Sequence, residues 1–273
     1  MRRKYNLALM MGLLAFMVAV SGCGVVNRLR AKDNLNDGVR EFNKGRYKEA
    51  EEKFKKSLEL SPDFTNAQLF YARAVNALFD QGLTEDLGQK AIAAYDNIIK
   101  NNKDNQDALD KAYAFKANVY DQLSRVNVDK FEEYKQKQRE TLLNRAELSS
   151  ATSKTKADVY YTLGVGYWKE SYDLNYPYVS KKQPIPPAVI EKMKPFIQQA
   201  HEYLQKTVGV ESDYANAWFY EKLVFIEDTK VETNPARQKE FASRINEMQE
   251  KYMKMQEEQK QQAAQSEQPP ASQ

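Results

Sequence analysis

The sequence predicts an all-α fold: a solenoid of about five helical hairpins with a C-terminal capping helix. Three observations carry this. A small-residue slot recurs, because Gly38 and Ala72 lie 34 residues apart, each among aromatic and aliphatic residues at helical spacing. The segment Asp63-Phe64-Thr65-Asn66-Ala67 returns as Asp213-Tyr214-Ala215-Asn216-Ala217, so one structural unit is used more than once. Only 10 glycines in 273 residues argue against a chain rich in strands and loops.

The first element is not part of that fold. Arg2, Arg3 and Lys4 precede an apolar run from Leu7 to Val20, and Ser21 and Gly22 follow it. A charged start, 14 apolar residues and small residues at the end have the layout of a secretory signal. The run is too short to span roughly 30 Å of hydrocarbon as a helix. Val20-Ser21-Gly22-Cys23 resembles the lipobox of bacterial lipoproteins. That resemblance implies cleavage before Cys23, a diacylglyceryl group on its thiol, and removal of residues 1–22. With Gly24 rather than aspartate next, it further implies an outer-membrane anchor facing the periplasm. Cys23 is the only cysteine, so no internal disulfide is available and packing alone must hold the fold. Residues 23–31 are expected to be a short tether.

Charge excludes one class of partner. The chain has 41 Lys and Arg against 38 Asp and Glu, and removing the three cations of the signal balances the two signs. A neutral mature chain has no long-range attraction for nucleic acid.

The hairpins begin at residue 33. Residues 36–62 read NDGVREFNKGRYKEAEEKFKKSLELSP, placing Gly38 in a first helix, Gly45 in a turn, Ala50 and Phe54 in a second helix, and Pro62 at the close. Small residues let two antiparallel helices approach, aromatics fill the space beside them, and glycine and proline end the helices. This pattern resembles a tetratricopeptide repeat (TPR). Ala117 and Tyr120, then Leu163, Gly164 and Tyr167, carry it onward. The slots at Ala72, Ala117, Gly164 and Lys222 are separated by 45, 47 and 58 residues, which requires insertions. Lys222 stands in a glycine slot, and Leu142 and Ala146 fit the second helix of the third unit poorly.

The largest insertion falls in the fourth unit. Gly164 and Ala200 are 36 residues apart where Gly38 and Ala50 are 12 apart. Glu170 to Pro187 holds four prolines and three tyrosines, Tyr172, Tyr176 and Tyr178, which predicts an irregular excursion between the paired helices. The last helix follows Asn234-Pro235, with an apolar seam at Phe241, Ile245, Met248, Tyr252 and Met255. Solenoid residues are expected through 262, and 263–273 as a polar, disordered tail.

Catalytic constellations are absent from the sequence. The single histidine, His201, sits in the helical pattern QQAHEYL, and no HExxH, Cys-x-x-Cys, GxxxxGK or GxSxG occurs. No enzyme, cofactor or metal is expected. In the TPR family the first helices of the pairs line the binding face. The resemblance places Arg73, Asn76, Asn118, Asp121, Tyr161, Trp168 and Lys169 there, with the insertion tyrosines as a lid or partner site. A basic-and-asparagine clamp for a C-terminal carboxylate is not evident. The function implied is a membrane-anchored, periplasm-facing scaffold that gathers envelope proteins or peptides; lipoproteins of similar layout serve β-barrel assembly and secretin assembly. The alternative is a solute- or peptide-binding lipoprotein serving a transporter. A sealed apolar pocket beneath 170–187 would favour it, and an exposed aromatic strip would favour the scaffold.

Overall fold

The computed structural model describes residues 24–266, with side chains through Gln261. The chain is all-α with a TPR-like solenoid fold, and it divides into two units at Ser150 and Ala151.

The first unit contains three hairpins: α1 (24–43) with α2 (Tyr47–Leu60), α3 (Thr65–Gly82) with α4 (Glu85–Asn101), and α5 (Gln106–Val126) with α6 (Phe131–Ala146). A 3₁₀ turn, Val128–Lys130, links the last two helices. The small-residue slots do what the pattern predicts. A Cβ on Gly38 would stand 2.4 Å from the ring of Phe54, which is itself fully buried, and Ala72 and Ala117 are buried too. Gly45 holds a φ of +75° in the α1–α2 turn, a conformation that a β-carbon disfavours. Thr84 and Asn105 cap α4 and α5 by accepting from the backbone N–H of Leu87 and Ala108. Leu142 and Ala146 are both buried, so the weakly patterned α6 is still seated by its apolar side. One core gathers Leu35, Phe54 and Ala67; another gathers Phe79, Tyr95, Ile98, Leu123 and Tyr134. Each large side chain buried in this way contributes about 1.5–3 kcal/mol.

The second unit contains two hairpins: α7 (Ser153–Val179) with α8 (Pro187–Val210), and α9 (Ala215–Val231) with α10 (Pro235–Ser266). Thr152 caps α7 by accepting from Thr155 N–H. At Gly164 a Cβ would meet Leu204 at 2.7 Å, so the fourth repeat closes on a glycine as the first does. The fifth repeat closes differently. Lys222 holds its ammonium over the Phe219 ring, 4.4 Å from the ring centre, and donates from it to Gln249 Oε1 on α10, 2.8 Å away. Helix α10 is at once the second helix of the fifth hairpin and the terminal capping helix.

Three expectations about boundaries are corrected. Residues 24–31 are not a tether but the start of α1, with Ala31 fully buried and its carbonyl accepting from Ser57 Oγ at 2.7 Å. Nothing between Val25 and Lys44 breaks a helix except the packed Gly38, so the chain winds from its first described residue. Residues 170–187 are not an irregular excursion. Helix α7 runs to Val179 and α8 starts at Pro187, leaving only 180–186 between them. Pro177 lies two residues from the helix end, where any kink it imposes deflects only the last turn, and Pro187 takes the N1 position that suits it. Finally, α10 continues to Ser266, because Gln, Glu, Lys and Ala are good helix formers. The signal at 1–22, Cys23, and the tail residues 267–273 lie outside the described residues.

Candidate protein-interaction surfaces

In the first unit, the first helices of neighbouring hairpins lie side by side, α3 against α5. Arg73 projects from α3 between them. Its guanidinium carbon stands 5.3 Å from the ring centre of Phe42 on α1, 5.5 Å from Phe70 and 5.8 Å from Phe115 on α5. Three phenyl faces around a half-buried cation each contribute about 0.5–1 kcal/mol. No carboxylate pairs with Arg73 among the described residues. Asn76, one turn on, donates to Asp80 Oδ2 at 3.1 Å while its own Oδ1 is buried without a hydrogen-bond donor. Asn118 is exposed on α5. Asp121 is committed elsewhere: it pairs with Arg125 and accepts from Lys135 Nζ at 2.6 Å, so it pins α5 to α6. Arg73, Asn76 and Asn118 thus remain as a mixed cationic and amide face.

In the second unit, an aromatic ladder climbs α7. Trp168 stacks on Tyr172 at 5.4 Å and Tyr172 meets Tyr176 at 5.5 Å, each pair four residues apart on one helical face. The edge of Tyr220, on α9, meets both Trp168 (5.1 Å) and Tyr161 (5.6 Å). Tyr161 also packs on Tyr214 at 5.0 Å; burial, then the neighbouring Tyr220, pushes its hydroxyl up to about 12. Tyr161 and Trp168 are therefore packing residues between hairpins. The ladder emerges at its far end, where Tyr176 is 53% exposed. Lys169 points away from the ladder to Asp173 at 2.5 Å, and Tyr178 is half-buried in the last turn of α7.

Two polar clusters of this unit escaped the sequence reading. Glu227, 2% exposed, accepts from Asn175 Nδ2 at 2.5 Å and from Lys230 Nζ at 2.7 Å, and Lys230 also reaches Asn175 Oδ1. His201 stands between two carboxylates, with Nδ1 at 2.8 Å from Glu221 and Nε2 at 2.6 Å from Asp228, over the Phe225 ring. Burial alone would lower its pKa, but the hydrogen bonds and charges of Asp228 and Glu221 outweigh this and raise it to about 9. With both ring nitrogens occupied and the imidazole charged at neutral pH, His201 is a structural cation rather than a base. The legible signal was the seven-residue spacing of Glu221 and Asp228, which puts both on one face two turns apart. The cavity beside it, about 380 Å³, is open and lined by His201, Phe225, Asp228, Arg237 and Phe241 among others. Among the described residues, no cluster of three or more His, Cys, Asp or Glu could hold a metal ion.

No protein-family model matches the chain, and no curated protein matches its sequence. The chain is similar in fold to solved structures of MamA. A double mutant of MamA from RS-1 matches at TM-score 0.51 and 16% identity, over 84% of this chain and 96% of that one. MamA 41-end from Desulfovibrio magneticus RS-1 matches at 0.50 and 15%, over 82% and 96%. YrrB, described as a TPR protein with an unusual peptide-binding site, matches at 0.38 and 12%, over 82% and 84%, a score too low to transfer anything from it. Identities of this size establish the shared fold and nothing finer.

Proposed function

We propose that this protein is a scaffold anchored by lipid at Cys23, facing the periplasm, that binds envelope proteins through the first helices of its hairpins. The observation that carries the binding reading is Arg73: a cation ringed by Phe42, Phe70 and Phe115, with no acid partner among the described residues. Such a group is preorganised for a carboxylate presented by a partner, with the phenyl rings excluding water around the contact. The exposed end of the ladder at Tyr176 offers a second contact of the kind that dominates interfaces. The solute-binding alternative receives less support: cavities of about 350, 380 and 300 Å³ among the described residues are lined from outside 170–187. The anchor is supported by Val20-Ser21-Gly22-Cys23 and the apolar run before it.

The test places a photo-crosslinking amino acid at position 76 or 118 of the full chain in its own envelope. One or a few discrete crosslinked proteins, lost in Arg73→Gln, support the scaffold. Absence of any crosslink at either position, with the fold intact, would remove it. Globomycin, by blocking processing at Cys23, tests the anchor separately.

A further inference from the structure

Helix α1 presents two faces with different fates. Ala31 and Leu35 are buried against the first hairpin, whereas Val25, Val26 and Leu29 are 62%, 45% and 60% exposed. Leu29 follows Val25 by four residues and Val26 by three, so the three form one stripe, which at 100° per residue points roughly 150° away from the buried pair. Cations border the stripe on both sides: Arg30 on one, Arg28 and Lys32 on the other, all exposed. Asp63, held low first by the Ser61 hydroxyl, also feels Arg28. No acid occurs from residue 24 until Asp33, which ends the stripe.

An exposed apolar stripe flanked by cations is the pattern of a helix that lies in a membrane interface, its side chains in the boundary between headgroups and acyl chains. The position of the stripe singles out a bilayer over a protein partner. Leu29 lies six residues after Cys23 in sequence, and about 7.5 Å along α1 from Gly24, the first described residue, at 1.5 Å per residue. The headgroup layer on one side of a bilayer is roughly 5–8 Å deep, so a chain acylated at Cys23 carries this stripe into it. Among the described residues, no helix is long and apolar enough to cross a membrane, so the contact is interfacial.

We propose that the first two turns of α1 dock on a phospholipid surface bearing anionic headgroups, with Val25, Val26 and Leu29 immersed and Arg28, Arg30 and Lys32 among the phosphates. This rests on the acylation of Cys23 and adds to it. The protein does not hang from a flexible leash; the anchor continues directly into the folded unit, so the first hairpin holds a fixed attitude to the membrane.

The experiment uses the full chain, purified from membranes, with acylation read from its intact mass. Val25→Cys, Leu29→Cys and Asn36→Cys are labelled one at a time with a nitroxide in vesicles of phosphatidylethanolamine and phosphatidylglycerol. Labels at 25 and 29 are expected to collide more with oxygen than with a water-soluble nickel chelate once vesicles are added. The label at 36, on the same face but beyond Asp33, is expected not to change. If the label at 29 stays as open to nickel as that at 36 on acylated protein, the docking is overturned while the anchor stands. A bare thiol at Cys23 overturns the anchor and the docking together. Shielding of 29 in native envelopes but not in vesicles means that a protein covers the stripe, which also overturns the assignment.

Discussion

Asn175, in the last turns of α7, donates from Nδ2 to Glu227 Oε2 on α9 across 2.5 Å, joining two residues 52 apart in sequence. Lys230 completes a triangle by reaching both partners. The bond helps to explain why the region rich in proline and tyrosine is helical: beside Lys230 on its own helix, the buried carboxylate on α9 takes a second donor that an extended α7 supplies. Asn175→Ala is expected to lower stability by about 1–3 kcal/mol, since it leaves Glu227 short of a partner. Denaturant unfolding followed by circular dichroism measures it. Deleting 172–186 should unfold the second unit rather than trim a loop.

His201 gives stability a pH dependence. Its folded pKa, about 9, lies above the ordinary 6.5, so the folded state holds the proton more tightly. The contribution is fully present below pH 6.5 and is lost as pH rises through about 9, by roughly 3 kcal/mol in all. His201→Gln should remove most of the fall in melting temperature between pH 6.5 and 9.5. It should also lower stability at pH 6, because Glu221 and Asp228 lose their cation.

Glycines in two helices should respond to alanine with opposite signs. At Gly38 the new methyl meets the ring of Phe54, which is enclosed and cannot yield, so Gly38→Ala should cost about 1–3 kcal/mol. At Gly166, within α7, a Cβ meets no heavy atom within 4 Å, so Gly166→Ala should stabilise by up to about 1 kcal/mol. Thermal melts of the two variants decide this.

Partner binding should fall without a loss of fold in Arg73→Gln and in Tyr176→Ala. Neither side chain carries a hydrogen bond or ion pair within the described residues. The measurement is yield of crosslinked partner beside the melting temperature, and a variant that melts as wild type yet binds as wild type counts against that contact. Asp121→Ala should behave in the opposite way, losing stability through Lys135 and Arg125.

The hairpins were legible because close approach leaves a mark in composition. Gly38, Ala72, Ala117 and Gly164 must be small wherever two backbones come near, and that requirement repeats with the unit. The insertion was misread because proline and tyrosine density is a local signal, whereas the helix there is held by Glu227 and Lys230, more than fifty residues downstream. The start of α1 was misread for a similar reason: the partner that orders Ala31 is Ser57, on the next helix. Among the proposed interaction residues, sequence pattern put Arg73 and Asp121 in the same class and could not show that the charge of Asp121 is spent on Arg125 and on Lys135 of α6. Only pairing geometry separates the two.

The ladder on α7 also makes the protein its own optical sensor. Of its two tryptophans, Trp168 is stacked on Tyr172 and Trp218 lies beneath the Lys251 ammonium, 4.4 Å from its ring. Replacing Trp218 with phenylalanine leaves a single indole, whose emission colour and lifetime report on the stack that ends at Tyr176. A ligand arriving at that end would announce itself in ultraviolet light, with no dye attached.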